Sequence, residues 1–100
     1  MAPKRKSKPF DVAEHLDSEE MVASYLDEAM ATRDTAYILQ AIGTVARARG
    51  MSQIAKDAKM SRESLYKSLR GDGSPEFMTV VKVLGAMGMK LAVEPERTGR

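Results

Sequence analysis

"MSQIAKDAKMSRESLYKSLRGDG", residues 51–73, sets two short apolar periods on either side of a brief break. Ser52 can cap a first helix over residues 53–58, which buries Ile54, Ala55 and Ala58. Lys59, Met60 and Ser61 interrupt it. Ser61 then caps a second helix through Arg70, with Gly71 as its stop, and Leu65 and Leu69 point inward above Met60. Helices of this length are unstable alone, so tertiary packing must hold both. Two short helices across a tight turn, with alanine at their crossing, describe a helix-turn-helix. Its second helix enters the major groove of DNA with its first residues against base edges.

The polar residues of this stretch suit that task. Arg62 can donate twice to guanine, and Glu63 can accept from a cytosine amino group. Ser61, Ser64 and Lys67 can reach a base or a phosphate, and Tyr66 can pack on sugar or donate to phosphate. Ser52, Gln53 and Lys56 on the preceding helix would face the DNA backbone. An exposed polar helix surface in an ordinary bundle would show some of the same residues. The Ser61 cap, the spacing and the basic block occur together, and that coincidence favours DNA.

Working outward, Asp17 or Ser18 caps a first helix, with Asp17 and Glu20 as a capping box and Glu19 and Glu20 at the positive end of the dipole. Met21, Val22, Tyr25, Leu26, Ala29 and Met30 form its apolar stripe. Asp34 caps a second helix that buries Ile38, Leu39, Ile42, Val45 and Ala46 and ends at Gly50. Gly43 inside it implies close approach of another helix. After residues 51–73, Ser74 and Pro75 open a last helix carrying Phe77, Val80, Val81, Leu84 and Met87, with Gly88 as its end. Alternation from Lys90 to Val93 predicts a short strand with no partner in the chain, so it should pair with a second copy or fray. The expected fold is all-α with five helices. The basic, proline-containing residues 1–9 are expected to be disordered, either as a solvated tail or as an arm adding phosphate contacts. The domain then spans 10–95, followed by a disordered tail at 96–100.

Charge is segregated along the chain. Asp11, Glu14, Asp17, Glu19, Glu20, Asp27, Glu28 and Asp34 face a single base, Arg33, within residues 11–34. Residues 47–70 reverse this, with Arg47, Arg49, Lys56, Lys59, Arg62, Lys67 and Arg70 against Asp57 and Glu63. The pattern predicts one face for a polyanion and another for a basic partner. The chain has no cysteine and one histidine, His15, which excludes thiol chemistry and leaves no metal-ligand set. Asp27 and Glu28 point about 100° apart on a helix and make no catalytic carboxylate pair. No enzyme activity, cofactor or metal is expected. No apolar run reaches a membrane span and the basic start precedes no apolar segment, so a cytoplasmic protein is expected.

Residues 47–91, "RARGMSQIAKDAKMSRESLYKSLRGDGSPEFMTVVKVLGAMGMKL", resemble the HigA-type antidote proteins of toxin–antitoxin modules. The resemblance is narrower to the small addiction module antidote group with a lambda-repressor-like helix-turn-helix. "FDVAEHLDSEEMVASYLDEAM" (10–30) is similar to the front of that group, and "SRESLYKSLRGDG" followed by "PEF" is the most specific segment. The group has Thr-Gly in the turn where this chain has Ala58-Lys59, so Lys59 would need a positive φ. The resemblance implies an antitoxin of a type II module. Such a protein neutralises a RelE/HigB-like endoribonuclease and represses its own promoter as a homodimer. The toxins are typically basic, which makes Asp17, Glu19, Glu20, Asp27 and Glu28 the expected toxin-facing residues, although an ordinary solvated helix face would look the same. A stand-alone prophage-type regulator without a toxin is the alternative.

Overall fold

The computed structural model describes residues 18–96. Five helices follow in chain order: α1 Glu19–Ala31, α2 Thr35–Arg49, α3 Met51–Asp57, α4 Arg62–Ser68 and α5 Phe77–Ala86. No strand occurs among the described residues. The basic arm at 1–9, Asp17 and residues 97–100 lie outside them.

Local chemistry explains most of the helix ends. Ser18 caps α1 by accepting from the Met21 amide, and Asp34 caps α2 by accepting from the Tyr37 amide. Side-chain oxygens at these positions satisfy amides that a helix start leaves without partners. Arg33, at φ 59°, turns the chain sharply between the two helices. Gly50 ends α2 at φ 106°, and its amide reaches back to the Ala46 and Arg47 carbonyls. It also leads straight into α3, since Met51 is already helical. That overturns Ser52 as a cap: the residue sits inside the first turn and makes no capping bond.

The break between α3 and α4 is a left-handed C-terminal turn. Lys59 has φ 61°, its amide donates to the Lys56 carbonyl, and the Met60 amide donates to the Ala55 carbonyl. This bond pair closes the end of a helix. Glycine is the usual residue at such a position, and a lysine there carries a conformational cost of roughly 1–2 kcal/mol. Ser61 then caps α4, accepting from the Ser64 amide at 3.0 Å. α4 ends at Ser68, earlier than Arg70, and turns at 69–73 follow.

α5 also departs from expectation at its start. Glu76, not Ser74, holds the cap position, and no side chain caps the helix. Pro75 stays outside, lining an apolar hollow with Ile38, Phe77, Val80 and Leu91. Phe77 opens the helix at the rim of that hollow and remains 69% exposed. The buried stripe is instead Val83, Leu84 and Met87, with Val80 packed against it. Gly88, at φ 78°, ends the helix as expected, with the Met89 amide on the Leu84 carbonyl.

α2 is the central element. It packs against α1 on one side and α3 on another, while α3 also meets α4 and α5. Being covered on several sides, α2 buries Ala41 and Gly43 as well as Leu39, Ile42, Val45 and Ala46. A Cβ on Gly43 would lie 3.8 Å from the Leu69 Cβ, just past α4, and 3.3 Å from the Arg47 guanidinium. The close approach is therefore made by the segment after α4 and by the helix's own arginine. Met51, Ile54, Ala55, Ala58, Leu65 and Leu69 complete the centre of the core with Val22, Leu26 and Ala29 of α1.

Residues 89–96 run on without regular structure, where a strand was expected from Lys90 to Val93. A strand needs a neighbour for its backbone groups, and the described residues offer none here. The segment lies beside α1, where Lys90, Leu91 and Glu94 share a hollow with Ala23, Asp27 and Met30. Glu96, expected in the tail, pairs with Arg33 through both carboxylate oxygens. Both partners are exposed, so the pair fixes direction more than it stabilises.

Candidate nucleic-acid interface

α4 presents its polar residues because Leu65 and Leu69 are drawn inward. At about 100° per residue, Glu63 and Lys67 point away from the buried side, and Arg62 and Tyr66 project along one flank. All four are exposed. Ser61 and Ser64 are tied together at the start, with Oγ to Oγ at 2.9 Å. The cap therefore engages the Ser61 hydroxyl as both acceptor and donor, while the Ser64 hydroxyl only accepts and keeps its hydrogen to donate.

The Arg62–Tyr66 flank faces the start of α3. Ser52, Gln53, Arg62 and Tyr66 line one open cleft together with Arg47 from the end of α2. The structure thus brings four of the expected residues to one place. Lys56, Ser61, Glu63, Ser64 and Lys67 are exposed but line no part of that cleft. Gln53 is held along α3, donating from Nε2 to Asp57 Oδ1 at 2.9 Å. Arg62 lies over Tyr66, with Cζ 5.5 Å from the ring centroid and Nη2 3.3 Å from the phenol oxygen.

Arg47 was read from sequence as the first charge of the basic block, not as one of the residues expected to contact DNA. Its place beside Arg62 follows from Gly50, which lets α3 start at once and so keeps the last turn of α2 close to the first turn of α3. The signal available in the sequence was the basic block beginning at Arg47. Arg49 does a different job, donating to the Met87 carbonyl at 3.4 Å and tying α2 to the end of α5.

The acids of the front helix are distributed over its exposed surface. Glu20 and Asp27 are seven residues apart and nearly in line, while Glu28 stands to one side. Glu19 turns towards the end of α5, where its Oε2 lies 3.3 Å from the position of a Cβ at Gly88. All four are exposed. Among the described residues no cluster of three or more His, Cys, Asp or Glu could hold a metal, and no helix is long and apolar enough to cross a membrane.

A family model described as "Probable addiction module antidote protein" matches residues 6–95. A protein of Haemophilus influenzae, described as uncharacterized, is 52% identical over 90 residues, which covers 90% of this chain and 93% of the relative. No solved structure matches significantly.

Proposed function

The chain belongs to the probable addiction module antidote protein family, and from that premise we propose that it is the antitoxin of a type II module. In this reading it binds and neutralises a RelE/HigB-like endoribonuclease and represses its own operon. An antidote answers a toxin, so membership favours this over a stand-alone prophage-type regulator. The domain that carries both activities is residues 10–95.

One observation carries the DNA half. α4 is pinned by Leu65 with Arg62, Glu63, Tyr66 and Lys67 outward, beside a cleft that adds Arg47 and Gln53. α3, the left-handed turn at Lys59 and α4 form a unit of helix-turn-helix type, with α4 as the helix that reads base edges. Arg62 reads a base. Lys67, Lys56 and Arg47 neutralise phosphates, and Ser52, Gln53, Ser61, Ser64, Glu63 and Tyr66 make up the rest of the contact surface.

For the toxin half, Glu19, Glu20, Asp27 and Glu28 of α1 offer negative charge on a helix that packs on α2 and belongs to a different segment from α3 and α4. Asp17 belongs to the same acidic segment. Charge complementarity with a basic toxin would govern encounter rate and part of the affinity. In this reading the toxin is encoded by the neighbouring gene, and changing Glu19, Glu20 and Glu28 to Lys is expected to weaken binding of that gene product, measured by calorimetry, with promoter binding nearly unchanged. Full-strength binding by that variant would reduce the acidic face to solvated surface. If no neighbouring product binds the unmodified chain, the stand-alone regulator is the correct reading.

The protein acts as a homodimer in this proposal, because one α4 offers few base contacts. Two half-sites roughly 34 Å apart, or a multiple of that, supply the rest. Val93 is 99% exposed and Phe77, Met78 and Leu91 are also exposed, so the extended segment and the start of α5 have apolar surface to bury. Ending the chain before Lys90 is expected to weaken self-association in sedimentation and operator binding together. A truncated chain that sediments as a dimer and binds normally would place the interface elsewhere.

A further inference from the structure

We propose that Tyr66 acts on DNA through Arg62, as a positioning residue that holds the guanidinium ready for one guanine in each half-site. The inference rests on the DNA reading above and adds to it a base and a division of labour between two side chains.

Arg62 is the first residue of α4 and Tyr66 follows it by one turn. The guanidinium carbon stands 5.5 Å from the ring centroid, and Nη2 donates to the phenol oxygen at 3.3 Å. Among the described residues no carboxylate pairs with Arg62, whereas Arg33 and Arg70 each have one. The neighbouring Glu63 leaves the helix about 100° away. The contacts that orient Arg62 within the chain are therefore a ring face and a hydroxyl, neither of which neutralises its charge.

This arrangement suits base reading. A planar guanidinium that is already held loses less freedom when it forms a donor pair. One hydrogen on Nη2 goes to Tyr66; the other, with those on Nη1 and Nε, remains for acceptors. A parallel donor pair matches the O6 and N7 acceptors of guanine in the major groove. Adenine presents a donor in place of O6 and would leave one Arg62 hydrogen opposed. The Tyr66 hydroxyl accepts from Arg62 through an oxygen lone pair, so the bond orients the guanidinium without using the hydroxyl's own hydrogen.

The experiment starts from a duplex library with a randomised 20-base-pair centre, selected on the full-length unmodified chain. Affinities of the enriched duplex and of single-base changes are then measured by fluorescence anisotropy for Arg62→Ala, Tyr66→Phe, Tyr66→Leu and the Arg62→Ala/Tyr66→Leu double variant. Thermal melts check that each remains folded. Arg62→Ala is expected to erase the preference for guanine at one position per half-site. Tyr66→Leu is expected to weaken binding by about 2–10-fold, the effect of freeing one long side chain, and to reduce that same preference. Tyr66→Phe keeps the ring and should lose less. In the Arg62→Ala background, Tyr66→Leu should have almost no effect, because the partner it positions is gone. Equal losses in both backgrounds, with guanine preference intact in Tyr66→Leu, would overturn the inference and leave the DNA reading standing. An unmodified chain that enriches no sequence would overturn both.

Discussion

Replacing Arg62 and Lys67 with Ala is expected to abolish promoter repression while the protein still neutralises its toxin. The two residues contribute differently. Loss of a bidentate base contact at Arg62 should cost roughly 1–3 kcal/mol on the operator and little on random DNA. Lys67, directed away from the core, should act through phosphate. Its loss should flatten the log–log dependence of affinity on salt by about one unit. Together they remove specificity and part of the electrostatic attraction, so a gel shift at physiological salt should show no operator complex. Stability should change by less than about 0.5 kcal/mol, because both side chains are exposed. An unchanged salt slope for Lys67→Ala would remove that residue from the interface. Equal losses on operator and random DNA for Arg62→Ala would reduce Arg62 to a backbone contact. Toxin neutralisation lost along with DNA binding would mean that the two surfaces overlap.

What could be read from sequence divides along physical lines. Asp34, Gly50, Ser61 and Gly88 act within one turn of their own position, through a side-chain oxygen or a permitted backbone angle. Their roles were therefore legible, whereas the positive φ at Lys59 was expected from the resemblance to a group that has glycine at that place. Ser52 and Ser74 carry the same chemistry but lose the cap to neighbours. Gly50 hands α2 directly to α3, and Pro75 is drawn into the hollow beside Ile38. Phe77 matches the apolar period of α5, yet its turn overhangs the bundle; where a helix outruns its support is a tertiary fact. The strand from Lys90 to Val93 depends on a partner backbone that the described residues do not supply. Arg47 joins the cleft by the angle at Gly50, which composition and spacing do not encode. Arg33 and Glu96 are separated by 63 residues and meet only after folding.

Leu65→Ala is expected to produce the largest loss of stability among changes to α4, and the reason returns to the short helices at 51–73. α4 has seven residues and cannot persist on its own hydrogen bonds. Leu65 is 0% exposed and is the buried residue of α4, and Leu69, just past the helix, is buried with it in the core that includes Ile54, Ala55 and Ile42. Truncating a fully buried leucine costs the lost transfer energy and the cavity left behind, roughly 2–5 kcal/mol. A domain this small has about 5–15 kcal/mol in total, so the variant should lose a large part of the fold's margin. Thermal melting should fall by on the order of 10–30 °C. Urea denaturation should show a lower midpoint with a similar slope, as expected when the folded state alone is weakened. Operator affinity should fall as well, because Arg62 and Tyr66 are carried by the helix that Leu65 holds. The contrast with Arg62→Ala is the decisive feature: one variant loses DNA binding with its stability intact, the other loses both. A Leu65→Ala protein that melts within a few degrees of the unmodified chain would show that α4 is held by something other than Leu65, and the geometry assigned to the DNA-reading face would lose that anchor.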